Sequence, residues 1–251
     1  MTASKPWDET DFQNTKLEAG EKSVAQKSTE PNAAGQAPAN QKMYPPVALV
    51  FPEHYADAAG VLSRAFVSDP LINALAPEPR EPVERARRLT GLFAAVLRLQ
   101  RADGQPVFGV FEDGRLIAAA VVEGTMHASV GGTVATALPG LPGMVRAIGW
   151  SGVRRAIALI DTLARNHPPR PHLYLNILGV EPSFQGRHCG IAILNHLREL
   201  VEMRSDLEGV YLETATEANV AYYTRHGYEV IGEFYPLGCR MWRMFQARRD
   251  R

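Results

Sequence analysis

Six residues, Gln185, Gly186, Arg187, His188, Cys189 and Gly190, stand between a strand-like run (LYLNILGVEP, 173–182) and a helix-like run (GIAILNHLRELVEM, 190–203). A helix mouth leaves its first amides unpaired and carries partial positive charge, so a loop in this position suits an anion such as a pyrophosphate. No Gly-Lys-Ser/Thr follows, which excludes a nucleoside-triphosphate loop. His188 poses a choice. It either adopts a positive φ, which histidine tolerates less well than glycine, or turns its imidazole outward toward a phosphate. Cys189 is either a thiol activated by the helix terminus or a small buried residue beneath the loop. His188 has no partner at ligand spacing, so no metal is expected.

Further along, Glu213 lies in VYLETAT (210–216), alternating onto the same face as Tyr211 and Ala215. It is either a buried carboxylate with a raised pKa, fit for proton transfer, or the partner of an arginine such as Arg240 or Arg243. Tyr222 and Tyr223 are neighbours on a short helix and point about 100° apart, so only one can face a given ligand. The other histidines (His54, His127, His167, His172, His196 and His226) have no motif neighbours.

The elements that must position these groups follow from periodicity. Strands are expected over 47–51, 172–181, 210–216, 229–234 and 239–245, with a hairpin over 106–124 turning at Asp113-Gly114. Helices are expected over 54–66, 82–100, about 143–165, 190–204 and 217–227, and Asp69-Pro70 breaks the chain between the first two. On helix 190–204, Gly190, Leu194, Leu197 and Val201 form an apolar face, opposite Asn195, Arg198, Glu199 and Glu202. Strands interleaved with helices indicate a mixed α/β sheet. Residues 125–141, rich in Gly, Ala and Thr, sit where a substrate-covering insert could lie.

Residues 1–44 have few apolar anchors and no sustained period, and are expected to form a disordered tail ahead of one domain over 45–251. The 27 basic and 27 acidic residues cancel, so no global field draws the chain to nucleic acid or membranes. The longest apolar run, LIAAAVV (116–122), is far short of a membrane span, and no secretory signal is expected. Two cysteines make no disulfide framework, and a reducing cytoplasm is the expected compartment.

Two blocks together carry a family resemblance. LGVEPSFQGRHCG, a strand running through a Val-x-Pro segment into a helix mouth, and the set Asn219, Tyr223, Gly227 and Tyr228 resemble the paired signatures of the GNAT family of N-acetyltransferases. YLNILGVEPSFQG, YLETATEANVAYYTRHGYEV and PLGCRMWRM are further similar to its puromycin N-acetyltransferase-like bacterial members. The likeness is firm over roughly 172–245, thin over 45–124 and absent over 1–44.

This resemblance implies an α/β (α+β) fold, with a mostly antiparallel central sheet flanked by helices. It implies acetyl-coenzyme A as co-substrate and direct attack on it by an amine. The pyrophosphate would rest on the backbone of Gln185, Gly186, Arg187, His188, Cys189, Gly190 and Ile191. Pantetheine and the oxyanion would meet the strand backbone at Leu178, Gly179 and Val180. Tyr223 would protonate the departing thiolate, and Glu213 would relay the amine's proton. Asn219 would either contact the pantetheine arm or cap its helix. The family usually has glycine where His188 stands. The implied acceptor is a small-molecule amine, with a protein amine or a non-catalytic coenzyme A-binding module as alternatives. No nucleic acid or membrane partner is implied, and the chain would be a monomer or homodimer.

Overall fold

The computed structural model describes residues 44–77, 81–124 and 141–249. The expected tail over 1–44 (Tyr44 apart) and most of the Gly/Ala/Thr-rich segment 125–141 lie outside the described residues. Seven strands form one sheet: β1 (Val47–Leu49), β2 (Val107–Glu112), β3 (Arg115–Glu123), β4 (Leu173–Val180), β5 (Gly209–Thr214), β6 (Glu229–Phe234) and β7 (Met241–Ala247). Their spatial order is β1-β2-β3-β4-β5-β7-β6, and every pairing is antiparallel except β4 with β5. The Asp113-Gly114 turn has positive φ at both residues, 50° and 74°, the twist a two-residue hairpin requires.

Helices α1 (Tyr55–Ala65), α2 (Pro70–Leu75), α3 (Pro82–Ala102) and α4 (Leu141–Asn166) cover one face, while α5 (Cys189–Met203) and α6 (Glu217–Arg225) cover the other. The sheet therefore separates two apolar layers. Phe93, Leu62 and Leu89 lie under the first group; Ile193, Leu197 and Leu212 lie under α5. Asp69-Pro70 proves to be a start signal rather than only a break. The Asp69 carboxylate accepts from the Ile72 amide at 2.9 Å, and Pro70 opens α2. Gly149 (φ 69°) interrupts α4 with a kink between two helical pieces. The last strand begins at Met241, two residues later than expected, after a 3-10 turn over Pro236–Gly238.

Gly179 shows how tightly α1 meets the sheet. A Cβ there would lie 2.8 Å from Leu62 Cδ2 and 3.1 Å from Ala65 Cβ. Both neighbours are packed side chains on a helix and cannot swing away. Gly179→Ala is expected to cost about 1–3 kcal/mol, read as a lower urea midpoint at unchanged slope.

Candidate active site

The site begins with an irregularity in β4. Val121 pairs with Ile177 while Val122 pairs with Leu175, so Asn176 is an extra, unpaired residue. Such a bulge bends its strand and increases the local twist. On the other side, β4 pairs with β5 only from Leu173 to Leu175, opposite Val210 to Leu212. Beyond the bulge the parallel pair separates, and among the described residues Ile177 to Val180 keep β3 alone as a strand partner. A wedge opens between β4 and β5.

Alternation decides which β4 residues line it. The Glu181 amide donates to the Ile117 carbonyl of β3 at 2.8 Å. With Gly179 opposite Ala119, the Gly179 N–H and C=O also point to β3. Leu178 and Val180 alternate with it, so their N–H and C=O groups face the wedge. Of the three residues expected to meet a ligand through their backbone, Leu178 and Val180 are thus placed to do so. Gly179 instead serves the packing of α1.

At the wedge mouth, the Gln185 and Arg187 amides are engaged in tight turns, to the carbonyls of Pro182 at 3.4 Å and Phe184 at 3.3 Å. The amides of Gly186, His188, Cys189, Gly190 and Ile191 have no acceptor among the described residues; the first intrahelical bond is Ala192 to His188, at 3.0 Å. Gly186 (φ 81°) and His188 (φ 65°) both take the left-handed conformation that turns successive amides inward. The choice posed by His188 resolves toward positive φ, and the residue also occupies the N-cap of α5. Its ring rests edge-on against Tyr44, with centroids 6.0 Å apart. His188→Gly is expected to raise unfolding stability by about 1 kcal/mol without loss of coenzyme A affinity, checked by urea titration and calorimetry.

The loop is anchored from outside. Arg64 on α1 makes a bidentate pair with Glu181, Nε to Oε1 at 2.9 Å and Nη2 to Oε2 at 2.7 Å. Arg187 turns away from the mouth, its guanidinium over the Phe184 ring at 4.7 Å and 3.5 Å from Glu112. Cys189 is buried, and burial pushes its thiol pKa up, so the activated-thiol alternative falls. Among the described residues no group of His, Cys, Asp and Glu could hold a metal.

Leu194, Leu197 and Val201 of the apolar stripe are buried in the α5 layer, which fixes the aim of the helix mouth. Gly190 is different: it lies beneath Tyr222, whose hydroxyl would be 2.8 Å from a Cβ there. The absent side chain makes room for that phenol. The Tyr223 ring packs on the α5 layer and edge-on to Tyr228, at 5.6 Å, and burial raises its pKa. Its hydroxyl makes no hydrogen bond to the described residues. Asn219 is exposed at the third position of α6, and the cap is Thr216, whose hydroxyl accepts from the Asn219 amide at 3.3 Å. The capping alternative for the Asn219 side chain is thereby replaced.

On the opposite face of the sheet, Glu213 Oε2 accepts from the Tyr174 hydroxyl at 2.6 Å and Oε1 from the Tyr211 hydroxyl at 2.8 Å. Neither arginine considered for it is its hydrogen-bond partner. Arg240 pairs with Glu233 at 2.9 Å, and Arg243 donates to the Asn166 carbonyl at 3.0 Å. Burial pushes the Glu213 pKa up to about 7, against the lowering effect of the two phenols. Glu123, which periodicity did not single out, stands opposite Tyr174 and accepts from Asn176 Nδ2 at 2.6 Å. Burial raises its pKa too. The bulge residue therefore ties the wedge to a second carboxylate. The pattern offered no warning, since Glu123 merely ends an apolar run.

A cavity of about 660 Å³ runs along α5 toward the ends of β6 and β7 and is lined by Arg170, Arg198, Arg225 and Arg249 with one acidic residue, Glu229. It continues the positive character of the helix mouth and fits a polyanion.

Comparison with known proteins agrees with this architecture. The sequence profile of the acetyltransferase (GNAT) family matches residues 69–228, and the chain belongs to that family. The fold is similar to a histone acetyltransferase HPA2 and related acetyltransferase from Corynebacterium glutamicum, at 22% identity and TM-score 0.62, covering 83% of this chain and 99% of that one. It is also similar to an agmatine N-acetyltransferase, at 14% identity and TM-score 0.52, covering 79% of this chain and 97% of that one. At these identities the likeness concerns the fold. No curated protein matches the chain significantly.

Proposed function

We propose that the chain transfers acetyl from acetyl-coenzyme A to the amine of a small molecule, through a domain spanning residues 45–251. The observation that carries this reading is the wedge. β4 continues past its parallel partner with the Leu178 and Val180 backbone groups turned to the wedge, directly beside five amides at the mouth of α5 that have no acceptor among the described residues. An extended, amide-bearing arm can add there as a strand, and a pyrophosphate can sit on the helix mouth.

The co-substrate supplies an activated thioester. The residues do the rest. Leu178 and Val180 offer N–H donors for the arm and for charge developing on the acyl oxygen. Glu213 takes the proton of the attacking nitrogen through water, and its pKa near 7 suits a base at neutral pH. The Tyr223 phenol, raised by burial and unbonded, returns a proton to the leaving sulfur. Asn219 and the available amides of Gly186, His188, Cys189, Gly190 and Ile191 complete the cofactor side. The resemblance to puromycin N-acetyltransferase-like proteins favours a small acceptor. Beside Glu213 the end of α4 is held by Arg243, which donates to the Asn166 carbonyl at 3.0 Å. The two unpaired cysteines suit a cytoplasmic setting.

The test is to incubate the protein with acetyl-coenzyme A and a panel of amines, with release of free thiol as the readout. Acceptor-dependent release is expected. If coenzyme A raises the melting temperature but no small amine or peptide releases thiol, the chain binds the cofactor without catalysis. If only peptides do, the acceptor is a protein.

A further inference from the structure

We propose that two copies of this chain pair antiparallel through the outer face of α4. Beyond the interruption at Gly149, the residues Trp150, Arg154, Ile157 and Asp161 follow one another at spacings of four, three and four, which places them along one side of a helix. Trp150 is 65% and Ile157 57% exposed, and Ile160 beside them is 41% exposed. Large apolar side chains gathered on one helix face mark an association surface, whereas scattered ones do not.

The sequence along this stripe is complementary to itself when reversed, the requirement a two-fold interface imposes. With the axis near Ile157, Arg154 of one copy comes opposite Asp161 of the other, and the reverse pair forms by symmetry. Farther out, Trp150 comes opposite Arg165, a residue suited to its ring face. Arg154, Ile157, Ala158 and Asp161 line a shallow depression of about 400 Å³. The small Ala158 leaves room in it for Ile157 of the second copy. Asp161 is held by Arg165 within the chain at 2.6 Å, but both are at the surface and such a pair exchanges at little cost. One helix face is less than the roughly 800 Å² per partner of a standard interface, so the dimer is expected to dissociate in the micromolar range.

The experiment is sedimentation equilibrium of the full chain from about 1 to about 200 µM. The wild type is expected to pass from monomer to dimer, and Ile157→Glu to weaken the dimer roughly tenfold or more. Arg154→Asp and Asp161→Arg are each expected to weaken it, and the double exchange to restore it, which a loss of folding cannot mimic. A wild type that stays monomeric throughout overturns the proposal, whatever else covers the stripe. A dimer unchanged by Ile157→Glu overturns it as well, and so does a double exchange no better than either single variant.

Discussion

Replacing Tyr223 with phenylalanine is expected to lower kcat roughly a hundredfold, about 2.7 kcal/mol of transition-state stabilisation, while coenzyme A affinity changes less than about threefold. The asymmetry follows from where the ring and its hydroxyl lie. The ring is packed on the α5 layer against Tyr228, and phenylalanine keeps those contacts. The hydroxyl has no hydrogen bond within the described residues, so removing it orphans no partner. On the proposed mechanism what is lost is a proton donor, a loss that matters only as negative charge gathers on the leaving sulfur. Burial raises the phenol's pKa, so it stays protonated across the working range and adds no limb of its own to the pH profile. Tyr222→Phe is the control. Its hydroxyl overlies Gly190 at the helix mouth, so its removal should act on cofactor affinity more than on turnover. Stopped-flow turnover and calorimetric affinity on both variants separate the roles. Equal loss of both quantities in Tyr223→Phe would make that residue a cofactor-positioning group.

The contrast between the two tyrosines shows what the sequence makes legible. That adjacent residues on a helix diverge by about 100° was plain, although the inference that only one could face the ligand side does not hold, since both rings pack toward α5 and Tyr222 overlies Gly190. The helix mouth was equally plain, because strand, short loop and apolar helix follow in a pattern that leaves few alternatives. The turn at Asp113-Gly114 and most strand limits were legible for the same local reason. Non-local facts were hidden. The separation of β4 from β5 depends on a bulge at Asn176, an unremarkable residue in a strand-like run, and on where β5 happens to stop pairing. Glu123 is brought to Glu213 by the register of β3 against β4 and by the order β4-β5, neither of which leaves a mark on periodicity. Gly179 looked like ligand-facing backbone by position, whereas its parity turns its amide to β3 and its missing side chain to Leu62. The phenols of Tyr174 and Tyr211 displaced the arginines as partners of Glu213 for the same reason. Alternation shows which residues share a face, but not which neighbour arrives from the next strand.

Glu213→Gln tests the base and separates it from its structural surroundings. In the wild type, kcat/KM is expected to rise with pH through about 7, as the carboxyl held there by burial loses its proton and becomes able to accept one. The glutamine variant should lose that limb and run roughly a hundredfold lower on the plateau. A limb contributed by the acceptor's own amine would move from one acceptor to another, whereas the Glu213 limb stays in place. Stability should move the other way. The folded pKa of about 7 lies above the ordinary 4.5, so the folded state holds this proton more tightly than the unfolded chain. The resulting stabilisation is complete below about pH 4.5 and is lost as pH rises through about 7. At pH 8 the ionised carboxylate therefore costs of order 3 kcal/mol relative to its neutral form. Glutamine has the shape of that neutral form. It can accept from one phenol and donate to the other if that hydroxyl rotates, so the contacts to Tyr174 and Tyr211 can persist. The variant should thus unfold at higher urea than the wild type at pH 8, with the difference fading toward pH 4. A residue retained at such a cost is expected where ionisation is needed for the reaction. A Glu213→Gln enzyme with wild-type turnover at pH 8 would remove the carboxylate from the mechanism, leaving Glu123, its neighbour at the bulge, as the group to test next.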